Sequence, residues 1–230
     1  MRCFFCENIS EKHITPDLLP KDEQHHIFRV IRAKPGEKIM LIDGRGTRAE
    51  TILEKDKSFT VLNIEKCPAP NIRLHLFTAP PRRQKIDRML EQCSEIGITS
   101  VTLLKTERSI SAPEKKSAVT RMKKHLIEGC KQAHNPFLPE LNPELLSLNT
   151  ALEKTANFAG RFYGAVSDGN SKYPENIEGD AAWFVGPEGG FTQQEEETMR
   201  NTGILPLKLG PWVMRIETAA VIGAYRIMNY

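Results

Sequence analysis

The sequence predicts an α/β protein: a small antiparallel β-barrel over residues 1–70, then a mostly parallel sheet with helices on both faces over residues 71–230. Three observations carry this. Short pieces of alternating apolar character recur up to residue 66, joined by turn signals. Pro-rich punctuation, "CPAPN" (67–71), marks a boundary. Beyond it, short apolar strands alternate with segments of helical apolar spacing.

In chain order, "MRCFFCENISEKH" opens with a short strand burying Cys3 and Cys6. "DEQHHIFRVIRAKPGE" (22–37) reads as one helix ended before Pro35-Gly36. "EKIMLID" (37–43), "RAETILEK" (48–55) and "SFTVLNIEK" (58–66) read as half-buried antiparallel strands, turning at "DGRGT" (43–47) and "KDK" (55–57). After the linker, "IRLHLFTA" (72–79) is a strand. "RQKIDRMLEQCSEI" is a helix with Ile86, Met89, Leu90, Cys93 and Ile96 on one face, stopped by Gly97. "TSVTLLKT" (99–106) is the next strand. Ser117 is placed to N-cap "AVTRMKKHLIEGCKQA", where Val119, Met122, Leu126, Cys130 and Ala133 repeat at helical spacing. "FYGAVS" (162–167), "AAWFV" (181–185) and "ILPLKL" (204–209) are short apolar strands before loops, and "ETAAVIGAYRIMNY" closes the chain as a helix. Such alternation implies parallel strands covered on both faces.

Apolar residues make up 40% and charged residues 27% of the 230, an ordinary globular balance. A net charge of +3 falls short of a frankly basic nucleic-acid binder, so RNA contact must come from local patches. The N-terminus has no apolar h-region and no stretch is long enough to span a membrane, which predicts a cytoplasmic chain without a membrane partner. The five cysteines are odd in number and read as reduced thiols. Cys3 and Cys6 form a lone C-x-x-C without a second pair, so no metal is expected.

Two loops stand out, both expected at the ends of adjacent late strands. In "FVGPEGGFTQQE" (184–195), Thr192 and Glu195 have capping-box spacing, so a helix starts at Gln193 and Gly186–Phe191 is loop. The second, "LGPWVMRIETAA" (209–220), precedes the final helix. Neither is a P-loop or a dinucleotide fingerprint, and nucleophile-elbow and H-E-x-x-H patterns are absent from the sequence. On residues alone the loops are either tight turns or the walls of a backbone-lined pocket. Such a pocket, lacking a phosphate-binding Lys, suits an adenosyl group better than a triphosphate.

The pairing of "FVGPEGGFTQQE" with "LKLGPWVMRIETAAVIGAY" resembles the RsmE family, the ribosomal RNA small-subunit uridine N3-methyltransferases. "HHIFRVIRAKPGEKIMLIDGRG" and "SEIGITSVTLLKTERS" are similar to further family segments, so the resemblance covers essentially the whole chain. It implies a PUA-like β-barrel followed by a SPOUT-type parallel sheet with a C-terminal trefoil knot. It also implies a homodimer, S-adenosylmethionine as cofactor and small-subunit rRNA as partner. Gly186, Pro187, Glu188 and Gly189 match the first cofactor loop, and Leu209, Gly210, Met214 and Thr218 match the second, together with Arg215 and Glu217.

Uridine N3 is a poor nucleophile while protonated, so a methyltransferase must remove its proton or stabilise the anion. Arg215 is the candidate for the anion, with a helix-start salt bridge to Glu188 or Glu217 as its alternative role. Glu217 and Glu188 are candidate bases, or acceptors of backbone N–H groups. Arg29, Arg32, Arg82 and Lys85 are candidate RNA contacts. Trp212 stands where the family has Arg and can stack on a base; Ile216 and Asn135 also depart from the family pattern. The rival readings are ribose 2′-O methylation on the same fold and a non-catalytic RNA-binding module.

Overall fold

The computed structural model describes residues 1–109, 116–166 and 177–229, and the chain divides into two compact units. Ser167 of the expected strand 162–167 and the terminal Tyr230 lie outside the described residues.

The first unit joins Met1–Ala69 with Ile127–Leu138. It contains β1 (Arg2–Phe5), β2 (His13–Ile14), α1 (Lys21–His25), β3 (Lys38–Ile42), β4 (Thr47–Leu53) and β5 (Phe59–Lys66). These strands form one sheet in the order β1-β3-β4-β5-β2, with β1 parallel to β3 and the other pairs antiparallel. Alternate positions of β3 and β4 point into a core of Phe4, Ile14, Ile27, Leu41 and Phe59. The helix expected over 22–37 is shorter. After α1 the coil widens into a π-helical turn, His26–Val30, where Ile31 N–H reaches back to His26 O. Pro35 disfavours helix just ahead of it, and the chain has already left the helix by Arg32, at φ 55. Arg29 and Arg32 are both exposed but do not form one helical stripe, a correction to the spacing argument.

The chain leaves this unit at Ala69, beside the boundary expected at 70/71, but Ile127–Leu138 returns to it. Several contacts hold that segment. Lys131 Nζ lies 2.8 Å from Glu23 Oε1, both side chains being buried. Cys130 packs with Phe5 and Ile42. Leu138 N–H donates to Gly44 O at 3.0 Å.

The second unit contains β6 (Ile72–Thr78), α2 (Arg83–Ile96), β7 (Ser100–Lys105), the first part of α3 (Lys116–Ala133), β8 (Glu140–Ser147) and α4 (Leu148–Lys154). β9 (Gly160–Gly164), β10 (Gly179–Val185), α5 (Gln193–Asn201), β11 (Leu205–Leu207) and α6 (Ile216–Met228) complete it. Six strands lie in the order β11-β9-β10-β6-β7-β8, every pair parallel. Successive side chains of β10 serve opposite faces. Trp183 donates from Nε1 to Ala219 O of α6 at 3.3 Å, and a Cβ on Gly223 would come within 2.2 Å of its ring. Ala182 and Phe184 pack with Leu148 and Ala151 of α4 and Met199 of α5.

Three expectations are corrected here. Ser117 lies inside α3, not at its cap. β8 and α4 appear in a stretch given no element, because Pro143 breaks the strand signal; the strand tolerates it at the sheet edge, where the register with β7 shifts. The strands before the two unusual loops, β10 and β11, are not adjacent: β9 lies between them.

At the N-terminal end of the sheet, neighbouring strands are locked by side chains. Asp180 opposes Arg73, and His75 opposes Ser100. Arg73 donates to both Asp180 oxygens at 2.8 and 2.9 Å. His75 bridges Asp180 (3.1 Å) and Ser100 (2.8 Å). The Arg73 guanidinium holds the Asp180 carboxyl down at about 2.

Candidate functional site

At the opposite, C-terminal end of the sheet the second unit holds a cavity of about 510 Å³. Its walls come from the segments that leave three neighbouring strands: 164–166 after β9, 185–191 after β10 and 207–216 around and after β11. Lys85 of α2 and Ala219 of α6 complete it.

Local chemistry explains why the first loop stands open. Thr192 Oγ1 accepts from Glu195 N–H at 3.2 Å, and Thr192 N–H donates back to the Glu195 carboxylate at 2.8 Å. This capping box starts α5 at Gln193, where the sequence places it. Upstream, Gly190 takes φ 69, which a side chain rarely adopts, and its N–H closes a turn onto Pro187 O at 2.8 Å. A Cβ on Gly186 would sit 3.1 Å from the Phe191 ring and backbone nitrogen. Phe191 is fixed from below by its edge-on contact with the buried Tyr163 ring, 6.2 Å between centroids. The second loop carries the exposed pair Trp212 (83%) and Val213 (73%) and delivers Arg215 as the exposed N-cap residue of α6.

The main charge contacts run through one cation. Lys85 Nζ lies 3.7 Å from Glu188 Oε1 in the first loop and 3.5 Å from Glu217 Oε1 in the first turn of α6. The salt bridge expected between Arg215 and Glu188 or Glu217 is thus made by Lys85 instead, and Arg215 has no ion pair among the described residues.

The structure brings together most of the residues singled out for cofactor binding. Gly186, Pro187, Glu188, Gly189, Leu209, Gly210 and Met214 all line the cavity, as do Arg215 and Trp212. Lys85, expected to face RNA, also lines it. Glu217 and Thr218 are not in its wall: Glu217 meets it only through Lys85, and Thr218 is exposed on α6. Arg82 is exposed as the N-cap residue of α2, while Arg29 and Arg32 belong to the other unit. Sequence reasoning missed the Gly164–Val166 wall, although "FYGAVS" shows the same strand-then-loop pattern as its neighbours.

The walls fit an adenosyl ligand. They offer main-chain groups, apolar surface from Val185, Leu207, Leu209 and Met214, and at Gly186 a close approach to Phe191 that a Cβ would crowd. The volume is that of a small-molecule site. No group of metal-ligating side chains is found among the described residues, and no described helix is long and apolar enough to cross a membrane.

A backbone-walled cavity at the carboxyl ends of parallel strands places the protein among α/β domains that bind a small molecule beyond their sheet. Comparison with known families narrows this. Residues 68–228 match the RNA methyltransferase domain family, to which the chain belongs, and residues 19–64 match the RNA methyltransferase PUA domain. The chain is similar to ribosomal RNA small subunit methyltransferase E 2 of Borreliella burgdorferi, at 26% identity over 86% of this chain and 84% of that protein. It is similar to ribosomal RNA small subunit methyltransferase E of Aquifex aeolicus, at 26% identity over 93% and 94%. Among solved structures it resembles a probable rRNA-methyltransferase from Porphyromonas gingivalis (28% identity, TM-score 0.81, 97% of this chain and 95% of that one). It shares its fold with ribosomal RNA small subunit methyltransferase E from Neisseria gonorrhoeae, solved bound to S-adenosyl methionine (23% identity, TM-score 0.82, 97% and 95%).

Proposed function

We propose that the protein is an S-adenosylmethionine-dependent methyltransferase acting on N3 of a uridine in small-subunit ribosomal RNA. The observation that carries this reading is the convergence of two main-chain-walled loops on one cavity, in a chain of the RNA methyltransferase family. The names of its relatives supply the ribosomal substrate.

The cofactor supplies an activated methyl group on a sulfonium. Transfer breaks the sulfur–methyl bond, forms the methyl–N3 bond and requires the N3 proton to leave, so the protein's main task is alignment. The loops at 186–190 and 209–214 hold the donor. Arg215, which lines the cavity and has no ion pair among the described residues, stabilises the anion that spreads over O2 and O4 of the uracil. Glu217, in the first turn of α6 and held by Lys85, is the candidate to receive the proton. A base must leave its stack to reach the cavity, and exposed Trp212 offers it a face. Arg29, Arg32 and Arg82 contribute RNA phosphate contacts.

The reading extends to the PUA-like β-barrel, the C-terminal trefoil knot and a cytoplasmic homodimer, in which the exposed Ile222 and Tyr225 of α6 face the second copy. Nucleoside mass spectrometry of small-subunit rRNA, from cells with and without the gene, tests the function. Loss of one 3-methyluridine supports it; unchanged 3-methyluridine, or loss of a ribose-methylated nucleoside instead, overturns it.

A further inference from the structure

The turn that follows β7, Thr106–Ser109, takes no part in the cavity wall, yet it is bonded to the first loop at Gly189 and to Glu195, in the helix turn that ends the loop. The turn is closed internally. Thr106 N–H donates to Ser109 Oγ at 3.1 Å, the two hydroxyls meet at 2.8 Å, and Ser109 N–H returns to Thr106 O at 3.2 Å. From this fixed base Glu107 N–H donates to Glu195 Oε1 at 2.9 Å. The other oxygen of that carboxylate caps Thr192, so one side chain ties the turn to the end of the loop. Arg108 reaches the middle: its Nη1 donates to Gly189 O at 2.8 Å. The arginine stem also covers Gly189, where a Cβ would stand 3.3 Å from Arg108 Cδ.

We infer that Arg108 is a positioning residue for the proposed cofactor site, fixing the Gly189–Gly190 peptide from behind the loop. The inference rests on the proposed reading of the cavity. Two successive glycines leave this peptide with more rotational freedom than any other part of the loop. Gly190 N–H is committed to Pro187 O, and among the described residues the Gly189 carbonyl is bonded to Arg108 alone. Holding that carbonyl outward sets which main-chain groups face the cavity, and it does so without a side chain entering the space the ligand needs. The segment "TERS" (106–109) thereby gains a use for each of its residues: two hydroxyls to close the turn, one N–H and one guanidinium to hold the loop. Arg108 is exposed and its replacement leaves the core untouched.

The test uses the full chain as wild type, R108A and R108K. Calorimetry with S-adenosylmethionine should show about tenfold weaker binding for R108A, the size expected when a charge-assisted hydrogen bond to a loop is lost, with partial recovery in R108K. Thermal unfolding should stay unchanged, and affinity for a small-subunit rRNA fragment should stay within about twofold of wild type, which separates positioning from a phosphate contact. Amide hydrogen exchange over 188–191, measured without any ligand, should be faster in R108A. Wild-type exchange and wild-type cofactor affinity in R108A overturn the inference, as does a loss confined to RNA affinity. If wild-type protein fails to bind the cofactor, the reading of the cavity falls instead, and the exchange measurement still decides whether Arg108 holds the loop.

Discussion

The two ends of the parallel sheet are built on opposite principles. At the N-terminal end, neighbouring strands β10, β6 and β7 are joined by side chains: Arg73 to Asp180, Asp180 to His75, His75 to Ser100. At the C-terminal end the strands β9, β10 and β11 give way to glycine-bearing loops whose main chain lines a cavity, and the side chains that stabilise them attach from outside. One end closes its polar groups on each other. The other leaves main chain available to a ligand and relies on capping and bracing to keep its shape. Stability and binding are therefore assigned to different ends of the same strands.

The sharpest way to break this division is Gly186→Val. Its side chain would enter the space beside Phe191, and overpacking of that kind typically costs about 1–3 kcal/mol. The expected result is about 100-fold weaker S-adenosylmethionine binding by calorimetry, with the N-terminal ladder and its acid behaviour intact. Lys85→Met comes next. It removes the cation shared by Glu188 and Glu217 and should weaken cofactor binding about threefold, since half-exposed pairs are worth little. The deficit should shrink as salt rises, because screening weakens the wild-type pairs.

The smallest effect belongs to the other end. Asp180→Asn should lower Tm by about 2 °C at pH 7 and leave cofactor affinity unchanged. Its pH dependence follows from the sign of the shift. The folded-state value, about 2, lies below the ordinary value of about 3.9, so the ladder's contribution is present above roughly pH 4 and is lost as pH falls toward 2. Urea unfolding of wild type and D180N should converge at the acid end of that range. A gap that persists at pH 2 would show that the carboxylate charge is not what stabilises this end.

Much of this arrangement was legible in the residues, for identifiable reasons. Apolar spacing from Ile86 to Ile96 and the stop at Gly97 define α2 as observed, with Gly97 at φ 92. Thr192 and Glu195 announce their own box because capping is local. What depends on distant pairing was not legible. Lys85 reads as one more basic residue until the fold brings Glu188 and Glu217 to it. The placement of β9 between β10 and β11 is a crossover that no local pattern encodes. Pro143 hid β8 because a proline argues against a strand unless the strand lies at an edge. Arg32 lost its helical partner to a widened coil that ordinary helix spacing does not anticipate.

The return of Ile127–Leu138 to the first unit bears on how this protein can be taken apart. A fragment ending at residue 69 would leave Glu23 without the ammonium it meets, and would uncover the seat that Cys130 occupies. Swapping the amino-terminal module between relatives therefore means transplanting a distant stretch of helix along with it. The gene can be cut at the linker; the folded object cannot.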